Sequence, residues 1–304
     1  MTIIQQSLLL SINMDTVPYR FCDAVWETVS SLGDNHLLTL RLVHAQHHKI
    51  GLWMASLEDC MANRHIFTIH FGFDDGKWSY EIYCQETKDL TFNQFKQMKT
   101  KYLQINGVEF WSDEHRHPSS RQEINEIIRY AAPFMNLAHL KMGIEDLEDG
   151  DTLFSPFRNT QFENIHFWSY LKCYDDLLKD QLEYCFLKEV VIQGEGWSEE
   201  VERSIKEFLL TKPFRHVNCV RSDTVFDRDF FEKLFEKRFY GKEQMIGGNF
   251  AISYRTLQRI KPQYRINSDS DEMVWKREDG VNITVKHFEK FWWLTSVLFC
   301  LTSV

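Results

Sequence analysis

Proline and glycine are scarce in this chain, at 6 and 13 of 304 residues. Disordered and linker-rich chains carry more of both, so packed, regular structure is expected. Cysteine is present but unorganised: seven residues, at positions 22, 60, 84, 173, 185, 219 and 300, form no CxxC pair. That pattern argues against a zinc ribbon or a disulfide framework and favours a reducing compartment, cytoplasmic or nuclear. The first residues, MTIIQQSLLLSIN, lack a basic leader and a small-residue cleavage site, so a signal peptide is not expected. The apolar run over 291–301 is too short to span a bilayer. Positive charge is not in excess either. Lys and Arg total 35 against 44 Asp and Glu, a formal charge of −9, which argues against a protein wrapped on nucleic acid. Neither a membrane nor a nucleic acid is an expected partner.

Aromatic residues are abundant, with 24 Phe and 9 Trp, and they fall into patterns. Ile66, Ile69, Phe71 and Phe73 precede Asp74-Asp75-Gly76-Lys77, and Trp78, Tyr80, Ile82 and Tyr83 follow. Alternating apolar residues around Asp-Gly predict a β-hairpin. Val274 to Arg277, then Glu278-Asp279-Gly280, then Val281 to Val285 predict a second. Between them, strand-like patches at 102–105, 139–144, 164–167, 188–192 and 216–220 alternate with helical stripes. The stripes are Ile124/Ile127/Ile128/Ala131, Leu177/Leu178/Leu182, Val201/Ile205/Phe208/Leu209 and Phe230/Phe231/Leu234/Phe235. Ser198 is a candidate N-cap for the third, and Pro213 closes it. Ile165, Val191 and Val217 recur at equal steps of 26 residues, within the range of a leucine-rich-repeat solenoid, although the leucine consensus and Asn ladder are absent. The expectation is an irregular, repeat-like α/β array; a conventional α/β sheet fits the same alternation.

Upstream, Val17-Pro18 opens a stripe of Val17, Phe21, Val25, Val29 and Leu32, and Gly33-Asp34-Asn35 ends it. The dense run Leu37-Leu38-Thr39-Leu40-Arg41-Leu42-Val43 follows, and Trp53, Leu57, Cys60 and Met61 indicate a third short helix. This segment resembles an F-box. The resemblance implies a three-helix head over 14–64, whose Val17, Pro18, Phe21, Val25, Leu37 and Leu40 dock the Skp adaptor of a cullin ubiquitin ligase. Farther on, Asp-Leu-Leu-Lys-x-Gln-Leu, Leu-Lys-Glu-Val, Glu-Glu-Val-Glu-Arg-Ser-Ile-Lys-Glu-Phe-Leu and Lys-Pro-Phe, within 174–218, resemble the F-box-associated, FTH-like domains of a large nematode family. In that family the head precedes an array that grips a protein target. The expected organisation is therefore an α/β protein with an F-box-like head at 14–64. An F-box-associated, leucine-rich-repeat-like strand–helix domain with two hairpins follows over 65–304.

Catalytic signatures are missing. No GxSxG, GxxxxGK[ST] or HExxH occurs, and Gly194-Glu195-Gly196 reads as a turn. The histidine groups His44/His47/His48 and Asp113 to His117 lack the spacing of a metal site and read as solvated helix end and surface loop. Asp175-Asp176 and Glu199-Glu200 sit in helical first turns, where they favour the helix dipole. Lys233, Lys237 and Arg238 read as the charged stripe of an amphipathic helix. The sequence-level expectation is a non-enzymatic adaptor without cofactor or metal. The other reading is a scaffold whose head only caps the array. The apolar run from Phe291 to Val304 is expected to complete the last strand of the array or cover its open edge.

Overall fold

The computed structural model describes residue 59 and residues 62–303, apart from 85–88, 114, 136, 146, 148–149, 185, 238–242, 251–255, 257–258, 261, 263–264, 269–271, 277–280 and 288–295. Toward the C-terminus, the last two strands are described by their backbone alone. Among the described residues six α-helices and fourteen strands follow one another. They begin with β1 His65–Asp74, β2 Lys77–Cys84, α1 Phe92–Gln97, β3 Leu103–Trp111 and β4 His117–Ser119. Next come α2 Arg121–Ala131, β5 Ala138–Gly143, α3 Gly150–Phe154, β6 Phe162–Phe167 and α4 Cys173–Glu183. The series continues with β7 Glu189–Gly194, α5 Glu199–Thr211, β8 His216–Ser222, β9 Val225–Phe226 and α6 Arg228–Glu236. It ends with β10 Glu243–Phe250, β11 Arg265–Ser268, β12 Glu272–Lys276, β13 Val281–His287 and β14 Ser296–Ser303.

Two compact units divide the chain, Met1–Thr68 with Ile82–Asn106 and Ile69–Glu81 with Gly107–Val304. Within the described residues of the first, Phe67 meets Phe95 edge-on at 5.1 Å. Thr91 and Gln94 form a reciprocal capping box at the start of α1. Tyr102 donates its hydroxyl to Asp59 at 2.7 Å.

In the second unit the strand order is β11-β12-β13-β14-β10-β8-β7-β6-β5-β3-β1-β2-β4, with β9 beside β10. The strands β3, β5, β6, β7, β8 and β10 are parallel and lie in chain order. Antiparallel strands extend the sheet at both ends. Chain order has a consequence. Right-handed crossovers that always step the same way place their helices on one face of a sheet.

Burial follows that rule. Leu140, Met142, Ile165, Phe167, Val190, Ile192, Val217 and Cys219 are buried. So are the helical stripes Ile124/Ile127/Ile128/Ala131, Leu177/Leu178/Leu182, Val201/Ile205/Phe208/Leu209 and Phe230/Phe231/Leu234/Phe235, as their periodicity predicts. Each large apolar side chain so removed from water contributes about 1.5–3 kcal/mol. Ser198 caps α5, its hydroxyl accepting from the Val201 amide at 3.3 Å. Gln181 is buried in α4 without cost to hydrogen bonding. It donates to the Phe157 and Thr160 carbonyls at 3.1 and 2.7 Å and accepts from the Phe162 amide at 3.3 Å.

The expected fold class needs correction. A solenoid stacks equivalent positions at a constant step, and here the steps differ. Gly107 pairs with His139, Leu140 with Ile165, Ile165 with Val190, Val190 with Val217 and Val217 with Ile246, which are steps of 32, 25, 25, 27 and 29 residues. The apparent 26-residue period took Val191 for the partner of Ile165, one residue out of register, and such a slip reverses the side chain's face. The chain is an α/β fold on one centrally parallel sheet, not a leucine-rich-repeat-like array. The three-helix head is likewise not shown: 14–58 lies outside the described residues, and so do Val17, Pro18, Phe21, Val25, Leu37 and Leu40.

Both expected hairpins sit at antiparallel pairings. β1 and β2 are neighbours joined through Asp75 and Gly76, at φ 47° and 74°, the left-handed pair that a two-residue hairpin turn requires. β12 pairs antiparallel with β13. The apolar C-terminal run does not cover an edge. β14 is hydrogen-bonded on both sides, to β10 and to β13. Among the described residues no helix is long and apolar enough to cross a membrane.

Candidate functional site

The sheet face opposite the helices carries the polar half of each alternating strand, and hydrogen-bond register sorts it into rows. Gly107, His139, Asn164, Glu189, His216 and Met245 lie side by side across β3, β5, β6, β7, β8 and β10. The next row is Glu109, Lys141, His166, Val191, Asn218 and Gly247. Two carboxylates organise these rows.

Glu109 is the more deeply set. Its Oε1 accepts from Lys141 Nζ at 2.8 Å and lies 3.3 Å from His139 Nε2. Its Oε2 accepts from the Trp111 indole at 3.1 Å and lies 4.0 Å from His70 Nε2. The hydrogen bond with His139, then those from Lys141 and Trp111, hold this carboxyl well below the usual carboxylate range, against the opposing effect of burial. A carboxylate so strongly held in its ionised form is a poor general base. Its role is a fixed charge. The His70 imidazole is pushed the other way, its pKa lowered chiefly by burial, and the His115 ring lies 5.7 Å from it.

Glu189 is the second centre. Its Oε1 lies 3.2 Å from both His166 Nε2 and His216 Nδ1. Burial lowers the His166 pKa, outweighing the attraction of Glu189. Beside it Trp168 stands 43% exposed, edge-on to the His166 ring at 6.1 Å. The trio is a hydrogen-bonded network. Among the described residues no group of three or more His, Cys, Asp or Glu could hold a metal ion.

Two glycines make room for these rings. A Cβ on Gly107 would lie 2.1 Å from His139 Nε2, and one on Gly143 would lie 2.5 Å from the Trp111 ring. Gly107→Ala is therefore expected to drive His139 off Glu109 and to cost about 1–2 kcal/mol in a urea titration. Adding His139→Ala should recover part of that loss, because the clash disappears with the ring. Strictly additive costs would show that Gly107 does not serve the imidazole.

Elsewhere, an open groove of about 690 Å³ is lined by Phe73, Lys77, Trp78, Ser119 and Arg121 among others. Among the described residues no carboxylate, thiol or imidazole lines it.

The structure redistributes the sequence-level candidates. Val17, Pro18, Phe21, Val25, Leu37 and Leu40 lie outside the described residues, as do His44, His47 and His48. The run 113–117 is not simply a surface loop. The His115 amide donates to Ser79 Oγ at 2.8 Å, its side chain is 11% exposed, and His117 begins β4. Gly194 and Gly196 do form a turn, both at positive φ. Glu109, His139, Lys141, His166, Glu189 and His216 were missed altogether. The signal was alternation: His139-x-Lys141, Asn164-x-His166-x-Trp168 and His216-x-Asn218 place polar or amphipathic groups at every second position of otherwise apolar strands. No protein-family model, curated protein or solved structure matches the chain.

Proposed function

We propose that the chain is a non-enzymatic interaction protein of the F-box adaptor type. Its N-terminal segment docks a Skp-type adaptor, and the polar face of its parallel sheet holds a protein target for a cullin ubiquitin ligase. The observation that carries the second half is the one-sided sheet. Six parallel strands in chain order leave a broad face, with Trp168 standing exposed at its surface and fixed charges set in rows. A face that carries no helix among the described residues of its unit suits an extended protein ligand better than a small molecule, which needs a concave pocket. The strand order also has no reversal along β3-β5-β6-β7-β8-β10, so it lacks the crevice where open α/β sheets take nucleotides. The first half rests on the resemblance of Val17-Pro18 and Leu37 to Val43 to an F-box. Pro18, Phe21 and Leu40 are its apolar anchors, the kind of side chain that dominates helix-in-groove interfaces.

Co-purification with a Skp-type adaptor tests the assignment. The wild-type chain is expected to retain the adaptor. A Pro18→Ala, Leu40→Asp double variant, shown by circular dichroism to remain folded, is expected to lose it by at least about tenfold. Failure of the folded wild type to bind would overturn the adaptor assignment and leave a scaffold with no ligase connection.

A further inference from the structure

We infer that Glu189, with Trp168 on the far side of the His166 ring, receives an arginine presented on an extended segment of the partner protein. The inference rests on the interaction reading above and names the chemistry of its target. Both imidazoles approach the same Glu189 oxygen, Oε1, at 3.2 Å. The other oxygen, Oε2, has no hydrogen-bond partner among the described residues. Two nearby lysines are engaged elsewhere: Lys141 on Glu109 at 2.8 Å, and Lys188 on Glu163. His166 does not neutralise Glu189 at pH 7, since burial keeps its ring uncharged. The groups facing that ring are Glu189, Lys141 and His216. Among the described residues Glu189 thus offers a partly exposed acceptor that no Lys or Arg pairs with.

Trp168 selects arginine over lysine. A planar guanidinium lies flat on an indole while its edge hydrogen-bonds a carboxylate, and an ammonium cannot do both as well. The strip His70, Glu109, Lys141, His166, Glu189, His216 crosses β1, β3, β5, β6, β7 and β8. Five inter-strand steps of about 4.8 Å make roughly 24 Å, the reach of about seven extended residues. A chain of net charge −9 attracts a cationic segment at long range.

A phage-displayed library of random decapeptides, selected on the full chain, tests this. Arginine should be enriched at one position on the wild type. Substituting citrulline there in a synthetic peptide should weaken binding by at least about tenfold. Glu189→Gln and Trp168→Ala should each abolish the enrichment, while Glu232→Gln, at an exposed ion pair on α6, should leave it intact. Arginine enrichment that survives Glu189→Gln overturns the inference. So does selection of peptides without arginine, although peptides lost on Lys141→Glu would keep the interaction reading alive. An empty selection overturns the arginine inference too, and the interaction reading then stands or falls on the co-purification alone.

Discussion

Phe110→Ala is expected to destabilise the protein by about 3–5 kcal/mol, a large share of a domain's usual margin. Phe110 is fully buried and belongs to the aromatic core under the parallel sheet. Its ring stacks on Phe71 at 4.7 Å and meets Phe154 and Phe157 edge-on at 5.3 and 6.1 Å. Those partners come from β1, from α3 and from the single-turn helix Ser155–Asn159. One truncation therefore opens a cavity against three elements, and fixed rings from three directions close it poorly. Phe110 also lies on β3 between Glu109 and Trp111, whose side chains face the opposite side of the sheet. Loss of the ring loosens the strand that holds the Glu109 charge. Urea denaturation followed by circular dichroism measures the effect, and Phe110→Leu, which keeps most of the volume, should cost much less. A loss below about 1 kcal/mol for the alanine variant would mean that the four rings do not form one cooperative core.

The helices were legible because their signal is local. The stripes at Ile124 to Ala131 and Val201 to Leu209 need only a 3.6-residue period, and Ser198 marks the start of its helix without reference to anything distant. The polar face was not legible in the same way. His139, His166 and Glu189 are 23 or more residues apart from one another in sequence, and only strand register brings them into neighbouring places. A register error of one residue, as at Val190 and Val191, removes them from the face entirely. Each outer extension contains a hairpin that local alternation marks, β1–β2 and β12–β13, but the attachment of the C-terminal one to the parallel strands depends on pairing between distant segments, which no local pattern encodes. β14 is the clearest case. Its apolar run read as either a last strand or a cover for an edge, and it pairs with β10 across some fifty residues and with β13 on its other side. Lys237 was lost for a different reason. Helical spacing groups it with Lys233, but the chain leaves the helix at Lys237, at ψ 140°, and the side chain turns inward.

That lysine should leave a mark on the pH dependence of stability. Lys237 is only 8% exposed. Its Nζ donates to the Leu209 and Lys212 carbonyls at 2.5 and 2.8 Å, at the end of α5, and sits 4.7 Å from the Phe214 ring centre. Burial pulls its pKa down from 10.5 to about 8. Below pH 8 the amine is protonated in both the folded and the unfolded chain, and folding carries the whole cost of burying the charge. Between about pH 8 and 10.5 the unfolded chain holds a proton that the native chain has released, so this group makes stability rise with pH. Above 10.5 the cost is gone. The full amplitude is about 3 kcal/mol. Other groups titrate in the same region: burial raises the Cys173 pKa to about 11 and also raises those of Cys219 and Tyr174. Each of these makes stability fall as pH rises, so the wild-type curve alone is ambiguous. Lys237→Met isolates the lysine, since the other groups are common to both proteins. The urea midpoint of wild type minus that of the variant should climb between pH 8 and 10.5. Met lacks the ammonium, so two carbonyls at the end of α5 lose their donor, while the apolar stem remains to fill the space. A difference that stays flat across this window would mean that the carbonyls and the Phe214 ring solvate the ammonium as well as water does, and that its burial is free of cost.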